Sequence, residues 1–215
     1  MRSPFILPES VRDFSQYAEF NVSTETVLAA LGYDFARESL RLPSIPVAEV
    51  PTVSKEYIRQ RVESALRVVG FTSEMARREF LIAPVVLEAA LIADAQLASE
   101  HPFDISPRLH GSLDYLMQKA NAVIIVEAKN GDLVRGFTQL SAEMVALDMF
   151  AETSTPLIHG AVTIGNLWQF GIMNRAEKRI IQDTNQFTVP DELDRLLAVL
   201  VGILRDAPAE GAVAG

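Results

Sequence analysis

Apolar and polar positions alternate irregularly in the first third of the chain and regularly after residue 72. Within residues 1–70 the apolar stretches are short. TETVLAALG predicts a helix, capped by Ser23 or Thr24 and stopped near Gly32, and KEYIRQRVESALRVVG predicts a second that ends at Gly70. Between them LRLPSIPVAEVP carries Pro43, Pro46 and Pro51, which forbid a long element. This third reads as a helical and irregular lead-in packed on a main domain.

From Thr72 the pattern predicts a long apolar helix to about Leu97, capped by Thr72 or Ser73 and bent at Pro84. HPFDISPR reads as a loop by composition, and GSLDYLM as a short strand. AVIIVEAK is a nearly continuous β-branched run of the kind buried on both faces of a sheet. Leu133, Phe137, Leu140, Met144 and Leu147 follow at spacings of 4, 3, 4 and 3, one face of a helix. LIHGAVTIG, LWQFGIMN and KRIIQDT read as strands, with Gly165-Asn166 as a turn, and DELDRLLAVLVGIL as a closing helix entered through Pro190. The expected fold is α/β, a central mixed sheet flanked by helices in the order α-β-β-α-β-β-β-α. Its parts are a lead-in (1–70), a core domain (71–207) and a disordered tail (208–215).

Composition narrows the chemistry. The 215 residues contain no Cys, which removes disulfides, thiolate metal sites and Cys nucleophiles. No stretch approaches the roughly 18 apolar residues of a membrane span, so a soluble cytoplasmic protein without a membrane partner is expected. With 28 acidic and 19 basic side chains the net charge is -9, and residues 71–150 hold 11 acids against 6 bases. A protein that neutralises phosphates should carry a basic face, so this acidity needs an account. The minimal parts of serine hydrolases, P-loop NTPases and dinucleotide enzymes are missing, as is any helical HExxH.

The candidate chemistry lies on the two central strands. Glu127 and Lys129 are two apart, hence on one face, and a charge inside VIIVEAK is costly unless it is paired or binds a cation. The plain alternative is a solvated pair at a strand end. Antiparallel pairing of GSLDYLM with AVIIVEAK through QKAN would bring Asp114 beside Glu127. Two adjacent carboxylates repel unless a hard divalent cation lies between them. With Lys129 alongside, the set suits phosphodiester hydrolysis: oxygen ligands for Mg2+ or Mn2+ and a cation to hold a water or stabilise phosphate charge.

The segments GSLDYLM, VIIVEAK and GFTQLSAEMVAL, with REFLIAPVVLEAA before them and TIGNLWQFGIM after, resemble the PD-(D/E)XK nuclease superfamily, the restriction-endonuclease-like fold, over about residues 73–205. Leu113 stands where a Pro often precedes the aspartate. The resemblance implies a Mg2+- or Mn2+-dependent nuclease acting on nucleic acid, with DNA the expected substrate. Asp114, Glu127 and the Ala128 carbonyl would hold the metal and Lys129 would position or activate water. Glu79 on the first helix would supply a further ligand, or is a solvated charge beside Arg77 and Arg78. Gln139 would orient Lys129 or the phosphate, with Glu143 one turn on, either at the site or ion-paired elsewhere. Arg175, Lys178 and Arg179 form the one local basic cluster and either touch a phosphate backbone or are ordinary turn charges. The competing function is a catalytically silent member of the fold that binds or regulates a larger complex. A homodimer or a partner subunit that brings the basic surface is a further alternative.

Overall fold

A computed structural model describes residues 5–8, 11, 13–120, 122–129, 131–150 and 155–205. Its central element is a strand, β4 (Ala122–Ala128), buried along almost its whole length because its β-branched side chains meet helices on both faces. Around it lie β1 (Asp34–Glu38), β2 (Gln96–Ser106), β3 (Leu109–Lys119), β5 (Leu157–Thr163), β6 (Leu167–Asn174), β7 (Arg179–Asp183) and the short β8 (Phe187–Thr188). They form one mixed eight-stranded sheet in the order β1-β7-β6-β5-β4-β3-β2, with β8 beside β6. β2, β3 and β4 make an antiparallel meander, and β5 runs parallel to β4 after the helix α6 (Leu133–Phe150) crosses the sheet.

Among the described residues, seven α-helices cover the two faces. α1 (Ser15–Glu19), α2 (Thr24–Leu31) and α6 share one core with Val123 and Ile125 of β4. α3 (Thr52–Val68), α5 (Ala83–Ala93) and α7 (Leu193–Leu204) share the other with Ile124, Val126 and Ala128. The alternation along β4 therefore serves both layers, and the α/β class expected from the sequence is what is observed. Among the described residues no helix is long and apolar enough to cross a membrane.

Three elements depart from expectation, each for a physical reason. HPFDISPR is loop only at Pro107-Arg108: His101–Ser106 belong to β2, which pairs with β3 from Gln96↔Gln118 to Ser106↔Leu109. β2 is an edge strand in which only Phe103 is buried, so it needs no apolar run and tolerates Pro102. The long helix ends at Ala93, where Asp94 takes a left-handed conformation (φ 55). It is interrupted before Pro84 by a π-helical turn, Arg78–Ile82, which follows α4 (Glu74–Arg77) and leaves Pro84 in the first turn of α5, where its missing N–H costs nothing. The first seventy residues are built in more deeply than a lead-in: β1 joins the sheet parallel to β7, and α2 and α3 fall in opposite layers. The tail expected over 208–215 lies outside the described residues.

The strap between β1 and α3 is held by α7 at close range. Ile45 N–H donates to the Ala198 carbonyl at 3.1 Å, and a Cβ on Gly202 would lie 2.4 Å from Ser44 Cα and 2.8 Å from the Pro43 carbonyl oxygen. Backbone cannot rotate out of the way, so Gly202→Ala should cost roughly 1–3 kcal/mol, read as a lower urea midpoint with circular dichroism retained.

Candidate functional site

The β3/β4 ladder stops one pair short. Its last pairing at this end is Tyr115↔Val126, and one more step would set Asp114 opposite Glu127. Instead the Ala128 N–H donates to Asp114 Oδ2 at 2.8 Å, so a side chain takes the place of a main-chain acceptor. Lys129 N–H donates to the Thr163 carbonyl at 2.8 Å, which ties the end of β4 to β5. Asp114, Glu127 and Lys129 thus gather at one end of the sheet.

Glu127 points toward α6 and is 1% exposed. Its Oε1 accepts an ion pair from Lys129 Nζ at 2.5 Å. The alkyl stem of Lys129 runs over α6 at Gly136, where a Cβ would lie 2.7 Å from Lys129 Cγ and 2.6 Å from a Val162 methyl. A glycine is needed there for the close approach of helix and lysine. From the same helix come Gln139 and Glu143, both buried, four residues apart on one face, with Gln139 Nε2 donating to Glu143 Oε1 at 2.9 Å. Gln139 therefore holds Glu143, where Lys129 or a phosphate is the expected partner.

Among the described residues, three buried acceptor oxygens here have no donor unless one of the acids carries a proton: Glu127 Oε2, Glu143 Oε2 and Gln139 Oε1. Such a cluster calls for protons or a cation, since a buried acceptor without a partner costs about 1–3 kcal/mol. Burial raises the Glu127 carboxyl well above its ordinary range, reinforced by the charges of Glu143 and Asp114 against the pull of Lys129. Burial pushes Glu143 up to about 7, opposed by its hydrogen bonds with Gln139 and Glu127. Asp114 is also raised by burial, with the Ala128 N–H, Arg78 and Lys129 working the other way. Burial pulls the Lys129 ammonium down, but its contact with Glu127 outweighs this and leaves it above the usual lysine range.

The donor set suits a hard divalent ion in chemistry: the oxygens belong to Glu127, to Glu143 and to Gln139 bonded to it, and the charge of Asp114 acts on both acids. Yet among the described residues no three His, Cys, Asp or Glu side chains form a ready cation cage. Asp114 is engaged elsewhere, its Oδ1 lying 3.1 Å from an Arg78 guanidinium nitrogen.

Other expected residues are not brought to this centre. Glu79 is exposed and lines an outward groove with Tyr57, Pro84 and Leu87. The helix acid whose charge reaches Lys129 is Glu74, in the first turn of α4. Glu74 and Arg78, four residues apart, share a helix face that Glu79, one residue further on, does not. Arg175, Lys178 and Arg179 lie around the β6–β7 turn, beside Leu157 and not Thr163. That is the length of β5 from the site, roughly 20 Å at 3.3 Å per residue. Arg175 is ion-paired with Asp148 and Arg179 with Glu38, both at 2.6 Å, and Lys178 lies over the Tyr33 ring. These cations brace the far end of the sheet.

Carboxyls whose folded pKa is raised retain protons that the unfolded chain has lost, so they lower stability as pH rises from about 4.5 through 7. At 1.36 kcal/mol per pH unit, Glu143 alone corresponds to a loss on the order of 3 kcal/mol by pH 8. In metal-free buffer the urea midpoint should fall between pH 5 and 8, and Glu143→Gln should flatten that fall. A midpoint independent of pH in the wild type would contradict the buried acid pair.

Compared with known proteins, the chain matches no family model and no curated protein.

Proposed function

We propose that the protein is a cytoplasmic, Mg2+- or Mn2+-dependent nuclease with a restriction-endonuclease-like core of the PD-(D/E)XK kind, hydrolysing phosphodiester bonds of nucleic acid, with DNA the expected substrate. The observation that carries this reading is the set of orphaned oxygens on Glu127, Glu143 and Gln139, buried beside Asp114 and Lys129 where two central strands part. The D…ExK residues lie on adjacent antiparallel strands with α6 across them, which agrees with the resemblance in the sequence.

In this reading Asp114, Glu127 and the Ala128 carbonyl would hold the ion, with the buried Glu143 and Gln139 as neighbours. A bound divalent ion supplies charge stabilisation for the phosphate and a lowered pKa for water. The chain's own residues do the rest. Lys129, its stem fixed over Gly136 and its ammonium kept protonated by Glu127, orients the attacking water and offsets charge that develops on the phosphate. Gln139 fixes the rotamer of Glu143, and the apolar faces of β4 and α6 exclude bulk water from the acids.

A second reading has its own support. Asp114 and Lys129 are both satisfied within the protein, by Arg78 and Glu127, and the chain carries a net charge of -9. A fold of this kind without catalysis, acting as a binding or regulatory subunit, would show the same pairs.

Cleavage of plasmid and of single-stranded DNA and RNA with Mg2+ or Mn2+ separates the two. Lys129→Ala and Asp114→Ala should each lose roughly 10²–10⁴-fold in rate. Gly136→Ala, which displaces the lysine stem without removing a charge, should lower the rate as well. Equal activity in all variants would remove this mechanism, and no cleavage together with no calorimetric metal binding would favour the silent subunit.

A further inference from the structure

Two local departures from regular geometry meet at Asp114. Arg78 is the first residue of the π-turn between α4 and α5. Glu100 interrupts the edge strand β2 in a left-handed conformation (φ 51), where the pairing passes from Ser99↔Tyr115 to His101↔Leu113 and leaves Glu100 facing Asp114. A non-glycine residue in that region is strained, and such positions gather where a site demands them.

The Arg78 guanidinium bridges the two. One terminal nitrogen lies 3.1 Å from Asp114 Oδ1 and the other is ion-paired with Glu100. The Tyr115 ring lies 5.5 Å beneath the guanidinium, and its hydroxyl donates to the Arg78 carbonyl at 3.3 Å. The ends of the bridge differ: the Asp114 side chain is 14% exposed and Glu100 is 60% exposed. A guanidinium stays charged at every pH of interest, so it can leave Asp114 only by moving, not by losing its proton.

We propose that Arg78 is the resident counter-cation of the acidic centre: it competes with a divalent ion for Asp114, and yields by transferring its charge to the exposed Glu100. This rests on the reading of Asp114 and Glu127 as divalent-cation ligands. The geometry supplies each part: a permanent cation on the buried acid, a second acid within its reach, and an aromatic ring that keeps the guanidinium over both. It also accounts for the lack of a ready three-acid cage among the described residues beside acceptor oxygens that have no donor.

The test uses the full chain and Mn2+, followed by electron paramagnetic resonance and by calorimetry, with circular dichroism on each variant. Arg78→Gln should bind Mn2+ at least tenfold tighter than the wild type. In an Asp114→Asn background the same substitution should give no such gain, because a diffuse field effect of Arg78 would survive loss of Asp114 whereas competition for it would not. Glu100→Gln, at an exposed position, removes the second perch and should weaken Mn2+ binding several-fold. With Mg2+, the Arg78 Nε–H resonance should shift as the ion binds. Unchanged affinity in folded Arg78→Gln, or a gain that persists with Asp114→Asn, would overturn the competition while leaving the metal site standing. No Mn2+ binding by the wild type or by Arg78→Gln would instead remove the metal-site reading and this inference together.

Discussion

A carboxylate carried by the central strand into a place that water scarcely reaches is the constraint from which the rest of this site follows. Glu127 sits among Val and Ile side chains on β4, 1% exposed, where an unpaired charge would cost several kcal/mol. The chain answers from two directions. Lys129, two residues on and therefore on the same face, reaches back to one oxygen. α6 brings Glu143 and Gln139, which share the proton and hydrogen-bond capacity of the pocket. Gly136 lets that helix lie close enough for the lysine stem to pass between helix and sheet. Each answer leaves an oxygen unsatisfied, so the cluster is partnered to a degree that retains the acids but does not saturate them. A purely structural pair would gain from saturation, so the unsatisfied oxygens are what supports the proposed metal centre.

The parts of the fold that were legible from the sequence are those whose signal is a period. The 4-3-4-3 face of α6, the β-branched run of β4 and the alternating hairpin strands of β5 and β6 are read from spacing alone, because burial on a helix stripe or a sheet face imposes that spacing. So is the approach of Asp114 to Glu127, since two strands joined over a few residues must pair antiparallel. β2 leaves no such trace. At the sheet edge it buries little, accommodates Pro102, and resembles a loop in composition. β1 is short and mixed for the same reason.

The electrostatic half of the site was less legible, for reasons of geometry and not of chemistry. Glu74 and Glu79 are equivalent as letters, but Glu74 shares a helix face with Arg78 and acts on Lys129, whereas Glu79 lies off that face. Arg175, Lys178 and Arg179 are a basic cluster in sequence, and their distance from Asp114 is set by which end of β5 the β6–β7 turn adjoins. The excess of acids over bases in residues 71–150 likewise changes meaning once placed. Glu74, Asp114, Glu127 and Glu143 from that stretch surround one lysine, so part of the acidity is a local concentration and not a uniformly repelling surface.

The position of the centre in the fold has a backbone cause. A β-ladder continued for one more pair would spend the Ala128 N–H on a main-chain carbonyl and close the strands over Asp114 and Glu127. By ending at Tyr115↔Val126, the ladder frees that N–H for the Asp114 carboxylate. The left-handed Glu100 breaks the regular run of β2 at the same level, and the π-turn sets Arg78 against the gap. Three adjacent elements thus give up regular hydrogen bonding at one level of the sheet, while β4 and β5 stay paired through Ala128↔Thr163 and keep the floor rigid. Irregular walls over a rigid floor leave these polar groups to side-chain partners instead of the ladder. Regular pairing at the other end, down to Lys119↔Ala122, leaves no comparable opening.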